Sequence, residues 1–158
     1  MPKKVVFLLV ALLLPGLIFL FLKKFGKNEF SIPVYYQTEA PVAPAGDCGT
    51  YSFPYRIADS IRAQIIFSGA NPKPVLVVAD TSAVLVKHVT HVAQQLNSLF
   101  VVKYGADTRW LSCAFFLNPP WTAVLIDTEG QIRGYYAPTT REEADRLLVE
   151  LKILLKQY

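Results

Sequence analysis

Apolar residues are spread unevenly along the chain, and their spacing divides it into segments. Val5 to Leu22 carries no charged residue. Such a run, about 27 Å long as a helix, predicts a membrane-spanning anchor. Lys3 and Lys4 flank one end and Lys23 and Lys24 the other, placed for two headgroup layers. The alternative, a cleaved signal peptide, would need small residues at its end, where Leu20-Phe21-Leu22-Lys23-Lys24-Phe25 stands instead. Pro15-Gly16 predicts a modest kink. The pattern divides the chain into an anchor over 1–24, a proline-containing stalk over 25–50 and a folded domain over 51–158. The stalk holds Pro33, Pro41 and Pro44, which favour an extended spacer.

Within the domain, Gln64-Ile65-Ile66-Phe67-Ser68 reads as a short strand. Val75-Leu76-Val77-Val78-Ala79 reads as a strand buried on both faces. Leu85, Val89, Val92 and Leu96 recur at three- and four-residue steps, predicting a helix over 82–97. Leu99 to Lys103 is a further strand, so the segment forms a βαβ unit with parallel strands. Residues 107–121 are apolar without a clear period. Thr122 to Ile126 and Gln131 to Tyr136 form a hairpin across Asp127-Thr128-Glu129-Gly130. Arg141 to Gln157 is a closing helix, with Thr140 and Glu143 in a capping-box pattern.

Charge adds a boundary condition. Four of the 16 basic residues flank the apolar run, and the remaining 12 face 12 acidic residues, so the rest of the chain carries no net charge. Nothing in this balance points to nucleic acid. The placement predicted is an inner (plasma) membrane protein with a cytoplasmic N-terminus and a periplasmic C-terminal domain, the lipid bilayer being one partner.

The order β-α-β, linker, β-hairpin, α is the minimal thioredoxin-like order. Two stretches narrow it: Leu125-Ile126-Asp127-Thr128-Glu129-Gly130-Gln131-Ile132-Arg133-Gly134-Tyr135-Tyr136, and Phe25 to Tyr36 just after the apolar run. Both resemble the Sco/SenC family. The resemblance implies an α/β thioredoxin-like domain behind one transmembrane helix. It also implies a role in assembling the copper centre of cytochrome c oxidase, using Cys-x-x-x-Cys after the first core strand and a distant histidine.

This chain has Asp80-Thr81-Ser82-Ala83-Val84-Leu85 where the thiols would stand, and Pro119-Pro120 where the histidine would. The resemblance therefore implies a degenerate scaffold and not an enzyme. It would be an accessory protein that binds, stabilises or helps assemble a respiratory complex such as cytochrome c oxidase. The alternative is an active copper chaperone or thiol–disulfide protein with displaced ligands.

Few residues remain for chemistry. Cys48 and Cys113 are the only cysteines, open to a structural disulfide, to two free thiols, or to a redox or copper role. His88 and His91, three apart on the predicted helix, read as solvated surface histidines, with a shared metal as the sharper alternative. Asp80 suits a helix cap, and Pro120 is a candidate cis proline. Asp127 and Arg133 read as turn and hairpin residues. Trp110, Phe115, Phe116 and Trp121 are either core filling or an apolar partner surface.

Overall fold

The computed structural model describes residues 3–25, 30–41, 48–65 and 72–156; in the first helix the side chains of residues 5–10 and 25 lie outside that description. The chain divides into two compact units, Met1–Phe30 and Ser31–Tyr158.

The first unit holds one helix, α1, Lys3–Phe25, with Pro15 inside it. Among the described residues, no helix is long and apolar enough to cross a membrane. The predicted membrane-spanning anchor is corrected accordingly. The inner-membrane and periplasmic placement rested on that anchor and falls with it.

The second unit contains helix α2 (Asp59–Ile65), strand β1 (Val75–Val78), helix α3 (Ala83–Gln95), strand β2 (Val101–Tyr104), a π-helical turn (Trp110–Ala114), strands β3 (Ala123–Ile126) and β4 (Ile132–Tyr136), and helix α4 (Arg141–Leu154). The sheet order is β2-β1-β3-β4. β1 runs parallel to β2, with Val75 opposite Val101, and antiparallel to β3, with Val77 opposite Val124. The predicted class, a thioredoxin-like domain behind a transmembrane helix, is thereby corrected to a mixed α/β unit with a four-stranded sheet.

Two apolar clusters explain why the strands read as unbroken aliphatic runs rather than alternating ones. Leu76, Val78, Ala123 and Leu125 pack with Leu85, Val89 and Val92 of α3 and Leu147 and Leu151 of α4. Val75, Val77, Val124 and Ile126 pack with Tyr55, Ile57, Ile65, Phe115 and Phe116. Both faces of the sheet centre are thus covered, so β1 and β3 are apolar on both sides.

The segment expected as a strand at Gln64–Ser68 is instead the end of helix α2 where it is described, and Ile66 to Ser68 lie outside the described residues. Ser31 opens the second unit, so part of the expected stalk lies on the domain. Ile32 is buried, the Tyr35 amide donates to the Ile132 carbonyl (2.9 Å), and the Tyr55 amide donates to the Tyr36 carbonyl (2.9 Å). Pro44, Gly46 and Asp47 of that segment, and Gln157 and Tyr158 of the closing helix, lie outside the described residues.

Candidate functional site

The C-terminal end of β1 is where the family resemblance implies thiols. Here the Ala79 amide donates to the Thr122 carbonyl (2.8 Å), linking this end to the start of β3. The Asp80 carboxylate accepts from the Ser82 amide at 2.9 Å, just before α3 begins. Ser82 holds the cap position, and Asp80 shapes the turn that enters the helix. The Pro119-Pro120 bond is cis. Trp121, beside it, is 39% exposed.

Cys48 and Cys113 are joined in a disulfide, with Cα atoms 5.3 Å apart. Cys113 sits in the π-helical turn, the segment that lacked a legible period. A helical turn leaves its last carbonyls without partners inside the element. Three phenols satisfy them in succession. Tyr51 donates to the Cys113 carbonyl (3.0 Å), Tyr55 to Ala114 (2.7 Å) and Tyr135 to Phe115 (2.7 Å). Burial pushes the Tyr55 and Tyr135 hydroxyls well above the ordinary phenol range, so they stay protonated donors.

Phe116 has φ of 50°, a conformation that costs a non-glycine residue about 1–3 kcal/mol. Its ring is held by Tyr36 and Tyr51, both at 5.0 Å between centroids, and by Tyr55 at 4.8 Å. Of the four aromatics read as a candidate partner surface, Phe115 and Phe116 are thus core residues. Trp110 packs half-buried against the same cluster, and only Trp121 stands exposed.

An open cleft of about 530 Å³ lies against the disulfide. Cys48, Cys113, Tyr51, Trp110, Arg56 and Arg109 are among the residues that line it. Arg56 is paired with Glu129 at 3.1 Å. The Arg109 backbone amide donates to the Asp107 carboxylate at 2.7 Å.

Asp127 and Arg133 form a second polar centre. Leu125 pairs with Gly134 and Ile126 with Ile132, which leaves Arg133 as the extra residue of a β-bulge. The bulge aims its guanidinium at the Asp127 carboxylate (3.5 Å) and at the Ile32 carbonyl (2.9 Å). Asp127 also accepts from the amides of Glu129 and Gln131, closing the hairpin turn. This pair is structural, as the turn chemistry predicted. Its link to Ile32 was not legible, because nothing in the sequence pairs residues so far apart.

The two histidines lie on α3 and face a groove shared with Arg141 and Asp145 of α4. His91 Nε2 is 2.8 Å from the Gln95 side-chain nitrogen. Asp145 is engaged with Arg141 at 3.7 Å. No group of three or more metal-ligating side chains occurs among the described residues. The structure brings the two cysteines together and keeps the histidines on a separate helix face. Arg56 and Arg109 of the cleft carried no signal in the sequence. Comparison with protein-family models and with curated proteins yields no match.

Proposed function

We propose that the Ser31–Tyr158 unit is a non-catalytic accessory domain on a Sco-like scaffold. In this reading it binds, stabilises or helps assemble a respiratory complex such as cytochrome c oxidase. One observation carries the reading: both cysteines of the chain are tied together between residue 48 and the π-helical turn. Neither stands after β1, where Asp80 and Ser82 instead form a local turn into α3.

Soft copper requires thiolate or imidazole donors in one place. A disulfide removes both thiolates, and the histidines lie on α3. Anaerobic Cu(I) titration of the full chain, oxidised and reduced, tests the non-catalytic part. The expected result is binding well below one copper per chain in both states. One tightly held copper, lost in Cys48→Ser or Cys113→Ser, would favour the copper-chaperone alternative instead.

A further inference from the structure

Residues 48–54 are fastened unevenly to the rest of the Ser31–Tyr158 unit. Cys48 is bonded to Cys113. The Tyr51 hydroxyl donates to the Cys113 carbonyl at 3.0 Å, and its ring meets Phe116 at 5.0 Å and Tyr55 at 5.7 Å between centroids. Gly49, Thr50, Ser52, Phe53 and Pro54 are exposed. Among the described residues, backbone hydrogen bonds from this part of the chain to the unit begin at Tyr55, whose amide donates to the Tyr36 carbonyl (2.9 Å). They continue at Ile57, whose amide donates to the Gly130 carbonyl (3.0 Å). One covalent bond and one phenol therefore hold residues 48–54, while the chain from Tyr55 onward is fastened independently of them.

The covalent tie is within reach of solvent. Both half-cystines are half-buried and line the open cleft, so a thiol can approach the S–S bond without the sheet opening. Tyr51 is itself half-buried, whereas the two rings it contacts, Tyr55 and Phe116, are buried at 6% and 4% exposure. Tyr51 is thus the outer ring of this cluster. Without the disulfide its place depends on a single neutral hydrogen bond and two ring edges, the weaker of the two ties.

We propose that the Cys48–Cys113 bond is a redox-sensitive latch: its reduction frees residues 48–54 and takes Tyr51 off Tyr55 and Phe116, while the sheet and its helices stay folded. The reductant is a dithiol. Its thiolate attacks one sulfur of the bond, and the other cysteine leaves as a thiolate and takes a proton from water. The second thiol of the reductant then displaces the first cysteine, which is likewise protonated. Two electrons and two protons reach the chain, and the dithiol becomes a disulfide. The latch does not depend on the accessory-domain reading, since it concerns the state of the domain and not its partner.

Two measurements on the full chain test it. The first is the rate of reduction by dithiothreitol at pH 7.5 without urea and in 1 M urea. The expected rates agree within about twofold. A rate that climbs about tenfold per molar urea, the sensitivity of global unfolding, would show that the bond is reached only from the unfolded chain and overturns the proposal. The second is brief chymotrypsin digestion of the oxidised and reduced chains, with cleavage sites mapped by mass spectrometry. Cleavage after Tyr51 should be at least about tenfold faster in the reduced chain, with Tyr135 and Tyr136 of β4 spared. The double variant Cys48→Ser, Cys113→Ser should be cut after Tyr51 at the reduced rate with no reductant present. Equal rates after Tyr51 in the two redox states would mean that residues 48–54 stay in place, and overturn the latch. Cleavage at Tyr135 and Tyr136 keeping pace with Tyr51 would mean that the whole domain opens on reduction, and overturns it equally.

Discussion

Gly134 occupies a position where space, rather than backbone freedom, forbids a side chain. A Cβ there would sit 2.5 Å from the Tyr136 hydroxyl and 2.8 Å from its ring carbon Cζ. Tyr136 cannot yield easily: it is fully buried, donates to the Glu150 carboxylate and lies under the Arg146 guanidinium, 5.0 Å from the ring centre. Gly134→Ala should therefore destabilise the domain by about 2 kcal/mol, the usual scale of overpacking. Urea unfolding checks this, and an unchanged midpoint would show that the ring moves freely. The sequence places Gly134 in the hairpin, but it gives no sign that Tyr136 folds back over it. By contrast, Asp127 and Gly130 were legible as turn residues because their chemistry is local.

Elements with a strong local period are where the chain was easiest to read. β1, β3, β4, α3 and α4 fall close to where their apolar spacing places them. Thr140 was legible as a cap, and it accepts from the Glu143 amide at 3.3 Å. The reciprocal half of the box is displaced by a few residues, since the Glu143 carboxylate accepts from the Ala137 amide instead. Thr140→Ala should cost about 1 kcal/mol, read as a lower midpoint in the same urea experiment.

Two elements were misread or left blank for physical reasons. Helix α2 is only seven residues long, and its β-branched C-terminal end gave the wrong period. The π-helical turn has neither period 2 nor 3.6, and its stability comes from phenols at Tyr51, Tyr55 and Tyr135, remote in sequence. The disulfide closes a separation of 65 residues, worth about 4 kcal/mol in the chain-entropy view. Reduction with a phosphine should lower the melting temperature by roughly 10 °C or more. A shift of a degree or two would mean that the turn is held by the phenols alone.

Across the whole molecule, the two apolar faces of the sheet set the pH range of stability. Tyr55, Tyr135 and Tyr136 are all pushed above the ordinary phenol value, in each case chiefly by burial. In the unfolded chain these phenols lose their protons near pH 10, whereas the folded chain keeps them. Their contribution is fully present below about pH 10, and stability falls as pH rises above it, because the unfolded state then binds fewer protons. Denaturant midpoints measured from pH 8 to 11.5 should be flat at first and then fall steeply. A flat profile throughout would mean that these phenols are exposed to water.

At this scale the sequence was least informative about the first unit. The length of an uncharged run predicted an anchor, while no helix among the described residues is long and apolar enough to cross a membrane. It was also silent on the joining of Ile32 to the hairpin through Arg133, which makes part of the expected stalk a piece of the domain.

The central claim is that this domain works by binding rather than by copper or thiol chemistry. The most direct test is affinity capture of the tagged full chain from the cells that make it, with mass spectrometry of co-purified proteins and copper analysis of the same eluate. The account predicts respiratory-complex subunits in near-stoichiometric amount and no copper assignable to the chain itself. A chain recovered alone, with one copper that disappears in Cys48→Ser or Cys113→Ser, would contradict it.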